Sequence, residues 1–434
     1  MGGEWVSVQL GDVTDLLTGF PFKSDRYVEH AEAPRLLRGD NVAQGALRWD
    51  GAKRWPQDAT DDVAAYRLRE GDVVLAMDRP WIEAGLKYAS VRVSDLPSLL
   101  VQRVARLRGN ERLDTRFLKY VIGSSSFTNY ILAVQTGTAV PHISSGQIRG
   151  FEFLLPPLPE QRSIAHILGT LDDKIELNRR MNQTLEAMAR ALFKSWFVDF
   201  DPVRTKAEGR DAGLPKPLAD LFPARLVDSE LGEIPEGWEV GTLAALASLN
   251  PESWSKETRP AVISYVDLSN TKWGRIEAVT AYVQQDAPSR AQRVLRPRDT
   301  IVGTVRPGNG SYTFVSEDGL TGSTGFAVLR PLRLEYTEFV YFAATAADNI
   351  EALSHLADGG AYPAVRPEVV AATQAIKSSD DVIERFSRVA GPLLAKMAGN
   401  ERESRTLAVL RDTLLPKLIS GVLRVKVAKD FEAT

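Results

Sequence analysis

The residue types that most often do chemistry are sparse in this chain of 434 residues, and their spacing builds no familiar centre. The four histidines, at 30, 142, 166 and 355, are too scattered to suggest a metal cluster or a nucleophilic triad. Pro159-Glu160 followed by Asp172-Asp173-Lys174 imitates the acids and lysine of a metal-dependent nuclease. That stretch has helical rather than strand periodicity, so these charges read as the solvated face of a helix. Asn250-Pro251-Glu252-Ser253 is the nearest approach to the Asn-Pro-Pro-aromatic segment of an amine methyltransferase, and it reads as a turn. No GxxxxGK[ST] loop is present to cradle phosphates. With no cysteine at all, disulfides, thiolate metal sites and a cysteine nucleophile are excluded, which fits a reducing cytoplasm. The expectation is a chain without an active site or bound metal.

Stepping from these residues to the elements that would carry them, the dominant feature is a duplication. Pro141, Leu171, Asn178, Leu185 and Leu192 recur as Pro363, Leu393, Asn400, Leu407 and Leu414, each displaced by 222 positions. A period above two hundred residues is a whole domain plus a long helix, not a solenoid unit. Towards the N-terminal side of each copy the displacement drifts. Trp5, Leu10 and Val13 match Trp238, Leu243 and Leu246 at 233; Asn41 and Gly45 match Asn270 and Gly274 at 229; LREGDVVLAMDRP (68–80) matches LRPRDTIVGTVRP (295–307) at 227. A repeated frame with drifting loops is where separately variable specificity would sit.

Two kinds of segment alternate. Residues 1–155 and 236–376 carry short β-like runs between Gly and Pro turns, namely GDVVLAM (71–77), FEFLLP (151–156), DTIVGTV (299–305) and GFAVL (325–329). Residues 159–198 and 380–421 have helical periodicity, broken only by Gly391-Pro392. Stepping 4, 3, 4, 3 from Ile164 gives Leu168, Leu171, Ile175, Asn178, Asn182, Leu185, Ala189, Leu192 and Trp196; from Phe386 it gives Ala390, Leu393, Met397, Asn400, Ser404, Leu407, Arg411, Leu414 and Leu418. Such a 3.5-residue repeat favours a coiled coil. Two helices packed separately on their own domains remain the alternative. Asn178 and Asn400 are central, so an antiparallel pair would bring them face to face and set the register; lying on a solvated flank is the other reading.

The expected fold class is therefore α/β (α+β), with two similar domains separated by two long antiparallel helices in pseudo-two-fold arrangement. The divisions are 1–157, first domain; 158–200, first helix; 201–236, a Pro-, Gly- and charge-rich connector; 237–377, second domain; 378–425, second helix; 426–434, tail. Hydrophobic content of 44% suffices for more than one core. The net charge is −3, and residues 1–155 balance 19 Lys and Arg against 19 Asp and Glu, so any polyanion would have to be met by sorted rather than excess charge. Met1–Trp5 lacks the character of a signal segment and no apolar run approaches a membrane span, so a cytoplasmic location is expected.

Several stretches resemble the specificity subunit of Type I restriction-modification enzymes: PPLPEQRSIAHILGTLDDKIELNRRMNQTLEAMARALFKSWFVDFDP (156–202), DSELGEIPEGWEV (228–240) and LRDTLLPKLISGVL (410–423). The likeness covers nearly the whole chain. One departure is IKSSDDVIERF (376–386), which lacks the Pro-Pro and Glu-Gln that open the first helix. The resemblance implies two target-recognition domains, each reading half of a bipartite site in double-stranded DNA, with helices that fix the gap. Ile164 to Trp196 is 33 residues, roughly 50 Å of helix, against the roughly 34–36 Å between half-sites one turn apart. It further implies two methyltransferase subunits carrying S-adenosylmethionine and, where present, two restriction and translocase subunits using ATP and Mg; this chain would hold no cofactor itself.

On that resemblance, the candidates for DNA contact are residues of loops or helix ends with the donors and acceptors that base edges require. In the first domain these are Lys23, Arg26, Arg38, Asn41, Arg79, His142, Ser144 and Gln147; in the second, Lys256, Asn270, Lys272, Arg306, Asn309, Tyr312 and Arg366. The matched pairs Arg79 with Arg306 and Asn41 with Asn270 carry most weight. Matched residues also suit a role in the frame, since residues that specify different half-sites should differ. The rival from another class is a two-domain coiled-coil scaffold that binds proteins and has no DNA specificity.

Overall fold

The computed structural model describes residues 4–425 except 58–60, 83–84, 138 and 256; the expected tail at 426–434 lies outside them. The chain divides into two compact units, residues up to Leu177 with those from Glu403, and Asn178–Arg402. Both divisions fall inside the long helices, so each unit owns half of each helix rather than one helix each.

In the first unit, the antiparallel sheet runs in the order Thr14–Thr18, Val104–Gly109, Val73–Ala76, Tyr88–Ser90. All four residues of Val73–Ala76 are buried, as the apolar run predicts for an inner strand covered on both faces. Arg35–Leu37 lies parallel to Ser98–Leu100, and Val6–Gln9 pairs antiparallel with Glu152–Leu155 just before the first long helix. Helices Thr115–Ile122, Ser125–Val134 and Ser145–Arg149 follow the sheet. Their apolar faces, with Phe117, Phe127 and Ile148 fully buried, share one core with Leu75 and Leu107 of the sheet and with Ile164, Leu168 and Leu418 of the long helices.

The second unit repeats this plan. Its sheet order is Ala247–Leu249, Phe326–Pro331, Thr300–Gly303, Tyr312–Phe314, and a parallel pair, Val262–Val266 with Leu320–Ser323, gains Thr280–Val283 and Ala291–Leu295 at its two sides. Helices Thr337–Ala344, Ala347–Leu356 and Pro367–Ala371, strand Gln374–Lys377 and the long helix Asp380–Ile419 all stand 222 positions after their counterparts, the last being Leu158–Phe197. The connector is more ordered than its composition suggests. It forms helices Asp201–Ala207 and Lys216–Ala219 and the hairpin Leu226–Ser229 with Gly232–Pro235, and it buries Val203, Phe222 and Ile234 in the second unit's core.

Each long helix has 40 residues. Every seam position counted from the sequence is buried or half-buried, so the heptad assignment holds in both. Asn178 and Asn400 do meet, but the arrangement has a third member. The Asn178 amide donates to the Asn400 carbonyl at 3.3 Å, the Asn400 amide donates to Asn182 Oδ1 at 2.8 Å, and the Asn182 amide donates to the Met397 carbonyl at 3.1 Å. All three asparagines are at most 3% exposed. A buried polar group without a hydrogen bond is costly, so these contacts favour one helical register and penalise its neighbours, although Asn400 Oδ1 accepts no hydrogen bond among the described residues.

The helix starts are docked by different chemistry in the two units. Glu160, 2% exposed, accepts from Trp5 Nε1 at 3.0 Å and from Arg424 Nε and Nη2 at 2.7 and 2.9 Å. Gln161 accepts from the Asp114 amide at 2.8 Å and donates to the Arg112 and Pro156 carbonyls at 2.9 and 2.8 Å. Their counterparts Val382 and Ile383 are fully buried in the apolar core of the second unit. The missing Glu-Gln is thus a polar dock replaced by an apolar one. The nuclease-like Asp172 is also structural: it accepts from Tyr120 Oη and Arg411 Nη1, each at 2.9 Å, and contacts Lys119 Nζ. Burial opposes its ionisation, but Lys119 and Arg411 outweigh burial and hold the carboxyl below its usual range.

Two predictions follow from the seam. Asn400→Ala leaves Asn182 Oδ1 without its donor and lowers stability by about 1–3 kcal/mol in denaturant unfolding, whereas Asn182→Leu with Asn400→Leu recovers most of that loss. Glu401, on the second helix, is pushed up to about 7, chiefly by burial and also by Glu186, with Arg275 and Arg402 opposing. The folded state therefore holds this proton more tightly than the unfolded chain, whose ordinary value is 4.5, and stability falls as pH rises between those values. Glu401→Gln should match the parent near pH 4.5 and melt later than it at pH 8.

Candidate nucleic-acid interface

Past the inner strand Val73–Ala76, the chain turns sharply at Arg79, whose φ is 45°. The Arg79 amide donates to the Pro141 carbonyl at 2.7 Å, and the Ile143 amide donates to the Met77 carbonyl at 2.9 Å. Past the matching strand of the second unit, Arg306 has φ 48°, its amide donates to the Pro363 carbonyl at 2.7 Å, and Val365 donates to the Thr304 carbonyl at 2.9 Å. A left-handed arginine costs about 1–2 kcal/mol against the usual backbone. Each persists because two chain segments clamp it from both sides. The echo of Arg79 in Arg306 is therefore a shared backbone device as well as a shared charge.

Around Arg79 lies a cleft of about 460 Å³ lined by Arg38, Lys87 and Arg103 together with Asp40 and Asp78. Arg103 also has a left-handed backbone, φ 67°, and its guanidinium lies 3.7 Å from Asp78 and 3.4 Å from His142 Nε2. His142 Nδ1 is 2.7 Å from Asp78 Oδ1. Burial lowers the Lys87 pKa, as does Arg79, while Asp40 and Asp78 oppose the change.

Backbone hydrogen bonds identify the counterparts of these cations. Asn41 donates to the Arg38 carbonyl as Asn270 does to Asp267 (2.9 and 3.2 Å), Ala76 to Lys87 as Gly303 to Ser311 (3.0 and 2.7 Å), and Met77 to Arg103 as Thr304 to Gly325 (both 2.8 Å). Asp267, Ser311 and Gly325 thus stand where the first unit has Arg38, Lys87 and Arg103. Arg306 alone keeps its charge, and it stacks over the Tyr362 ring at 4.7 Å and donates to the Ala361 carbonyl at 2.5 Å. The tip residues next to the matched prolines, Val140 and Tyr362, are 46% and 71% exposed.

Of the residues chosen from sequence, the first unit brings Arg38, Arg79 and His142 together around this cleft. Lys23 is exposed beside it, and Arg26 stacks on Trp55 at 4.8 Å. Asn41 is only 8% exposed; its Oδ1 accepts from the Arg38 amide and its Nδ2 donates to the Arg48 carbonyl, both at 3.0 Å. Ser144 and Gln147 form the capping box of Ser145–Arg149. These three side chains are engaged in holding loops and a helix end. In the second unit, Asn270 repeats the Asn41 turn, and its carbonyl accepts from Glu277 at 2.7 Å as that of Asn41 does from Arg48 at 2.8 Å. Asn309 is exposed beside Arg306, and Arg366 is exposed before Pro367–Ala371. Lys256 lies outside the described residues.

Two placements need correction. Lys272 and Tyr312 were expected on loops, but both are strand residues: Lys272 lies in Thr271–Lys272, with Nζ 3.4 Å from Ser311 Oγ, and Tyr312 lies in Tyr312–Phe314. Tyr312 is 7% exposed because its ring is packed edge-on against Trp273 and covered by Arg190, although its strand lies at the edge of the sheet. Lys87, Gln102 and Arg103 were missed. The one signal for the last two was the polar Gln102-Arg103 interruption in the apolar run SLLVQRVARL (98–107), which marks a turn between strands.

Residues 2–187 match the family described as the Type I restriction modification DNA specificity domain. The chain is 35% identical over 186 residues to the EcoAI specificity subunit of Escherichia coli, a match spanning 43% of this chain and 30% of that protein. It is 26% identical over 354 residues to the HindI specificity subunit of Haemophilus influenzae, covering 70% of this chain and 76% of the relative. The chain thus covers less than a third of the first relative's length and about three quarters of the second's. In fold, it is similar to the crystal structure of a Type-I restriction-modification system S subunit from M. genitalium, with a TM-score of 0.55, 16% identity and 96% of both chains covered.

The strained arginines provide a direct check on the frame. At positions 79 and 306, the glycine variants should be more stable than the alanine variants by about 1 kcal/mol in thermal melts, because glycine takes the left-handed backbone without strain. Equal stability of the two variants would show that the turns relax when the side chain is removed.

Proposed function

We propose that the chain belongs to the Type I restriction modification DNA specificity family matched by residues 2–187, and that it is the non-catalytic, sequence-reading subunit of such an enzyme, with each unit reading one half of a bipartite target in double-stranded DNA. The observation that carries this reading is the pair of left-handed arginines. Both are held by the same hydrogen bonds and surrounded by non-equivalent side chains, the arrangement required to present two different surfaces from one scaffold. Arginine is the commonest partner of a guanine edge in the major groove. The first cleft also answers the charge problem, since Arg38, Arg79, Lys87 and Arg103 are gathered from four separate loops of a domain that is neutral overall.

In this reading, the paired helices set the interval between half-sites and carry the partners, two methyltransferase subunits. Leu177, Val409 and Leu410 on the first unit's helical segments and Met188 and Val389 on the second's are 45–68% exposed, apolar surface of the kind that marks partner contacts. S-adenosylmethionine would belong to those subunits, and ATP and Mg to restriction and translocase subunits. A cytoplasmic setting follows from such partners; among the described residues no helix is long and apolar enough to cross a membrane.

The test is to map adenine methylation across host DNA with and without this gene, with the partner methyltransferase retained. One asymmetric bipartite motif should lose methylation on deletion and regain it on complementation. Unchanged methylation, with an active methyltransferase demonstrated by restoring it with another specificity subunit, would leave the protein-binding scaffold as the reading to pursue.

A further inference from the structure

We infer that the two units discriminate bases by different chemistry mounted on one frame, with the Arg103 guanidinium as a specificity determinant in the first unit and the Tyr362 ring in the second. The inference rests on the DNA-reading function proposed above and assigns residues to it. Superposing the frames through their hydrogen bonds separates what is shared from what is not. The left-handed arginine, the proline carbonyl that holds it and the strand behind it are common; six positions around it, 38, 78, 87, 103, 140 and 142, are not.

Arg103 projects into the first cleft from its own left-handed turn. Its Nε lies 3.7 Å from Asp78 and its Nη1 3.4 Å from His142, which is itself 2.7 Å from Asp78, so a planar guanidinium fork is presented at the cleft. Such a fork matches the two acceptors on one edge of guanine. In the second unit its counterpart is Gly325, and Asp78 and His142 are replaced by Val305 and Ala364, which form the equivalent bridge without polar side-chain atoms. The second unit instead places Tyr362 at the tip where the first has Val140. Tyr362 is 71% exposed and has the Arg306 guanidinium over its ring at 4.7 Å. An exposed aromatic residue is costly to leave in water, whereas stacked on Arg306 it offers an apolar face and one hydroxyl to a base edge. One half-site is therefore read by guanidinium donors, the other by a stacked ring.

The test exchanges each determinant for its own counterpart in the other unit, Arg103→Gly and Tyr362→Val, in the assembled methyltransferase, and maps the methylated motif. Both variants should fold: glycine relieves the left-handed backbone of Arg103, and Tyr362 is mostly in solvent. Melting within a few degrees of the parent checks this, with Arg103→Lys and Tyr362→Phe as milder substitutions. Each exchange is expected to relax base preference about tenfold or more at one or two positions of a single half-site, with the two variants acting on opposite halves. A uniform loss of binding across all sequences, with a salt dependence shallower by about one phosphate contact, would assign Arg103 to the backbone and overturn its role. An unchanged motif in both variants overturns the inference outright. A parent enzyme that methylates no bipartite motif instead removes the underlying function, so the two failures are distinguishable.

Discussion

The structure depends on the register of its two long helices. Each helix contributes one half to each unit, so a single register must satisfy two cores together. In the second unit, Asn178, Asn182 and Asn400 are hydrogen-bonded in a seam that otherwise consists largely of apolar side chains. In the first, Asp172 joins Lys119 and Tyr120 of the domain to Arg411 of the opposite helix, and Glu160 joins Trp5 to Arg424. Apolar heptads alone are nearly indifferent to a one-heptad slip, since leucine replaces leucine. Buried polar groups are not, because each would lose its partner while still shielded from water. The polar contacts select the register, and the apolar ones stabilise it.

Between register and recognition stands a backbone frame that tolerates changes of side chain. The turns at Arg79 and Arg306 are fixed by main-chain hydrogen bonds to Pro141 and Pro363 and by the strands that precede them. None of those bonds depends on which residue fills positions 38, 87, 103, 140 or 142. This explains how Arg38, Lys87 and Arg103 can become Asp267, Ser311 and Gly325 while the backbone hydrogen bonds to those positions are kept. The same economy appears at the helix starts, where Glu160 and Gln161 are exchanged for Val382 and Ile383 while the helix length stays at 40 residues.

Much of this was legible in the residues themselves. Heptad spacing located both helices and their central asparagines, and the strands GDVVLAM, FEFLLP, DTIVGTV and GFAVL appear where alternation of apolar runs and turns put them. These features are local or periodic, and the physics that produces them acts over a few residues. Asn182 had the correct heptad position but no visible partner, because its contacts to Asn400 and Met397 are 218 and 215 residues away in sequence. The burial of Asn41 and Tyr312 was hidden for the same reason: polarity suggests exposure, but a hydrogen-bonding partner or a covering ring decides burial.

The 222-residue echo, the two similar halves, the helices and the resemblance to a specificity subunit were legible in the sequence alone, since repetition, periodicity and motifs survive without coordinates. Which cations share a cleft was decided only by the tertiary structure. Arg38, Arg79, Lys87 and Arg103 come from four loops and are unremarkable one at a time in a neutral domain. Charge acts through space rather than along the chain, so only folding could sort that neutral composition into a basic cleft in one unit and a single stacked arginine in the other.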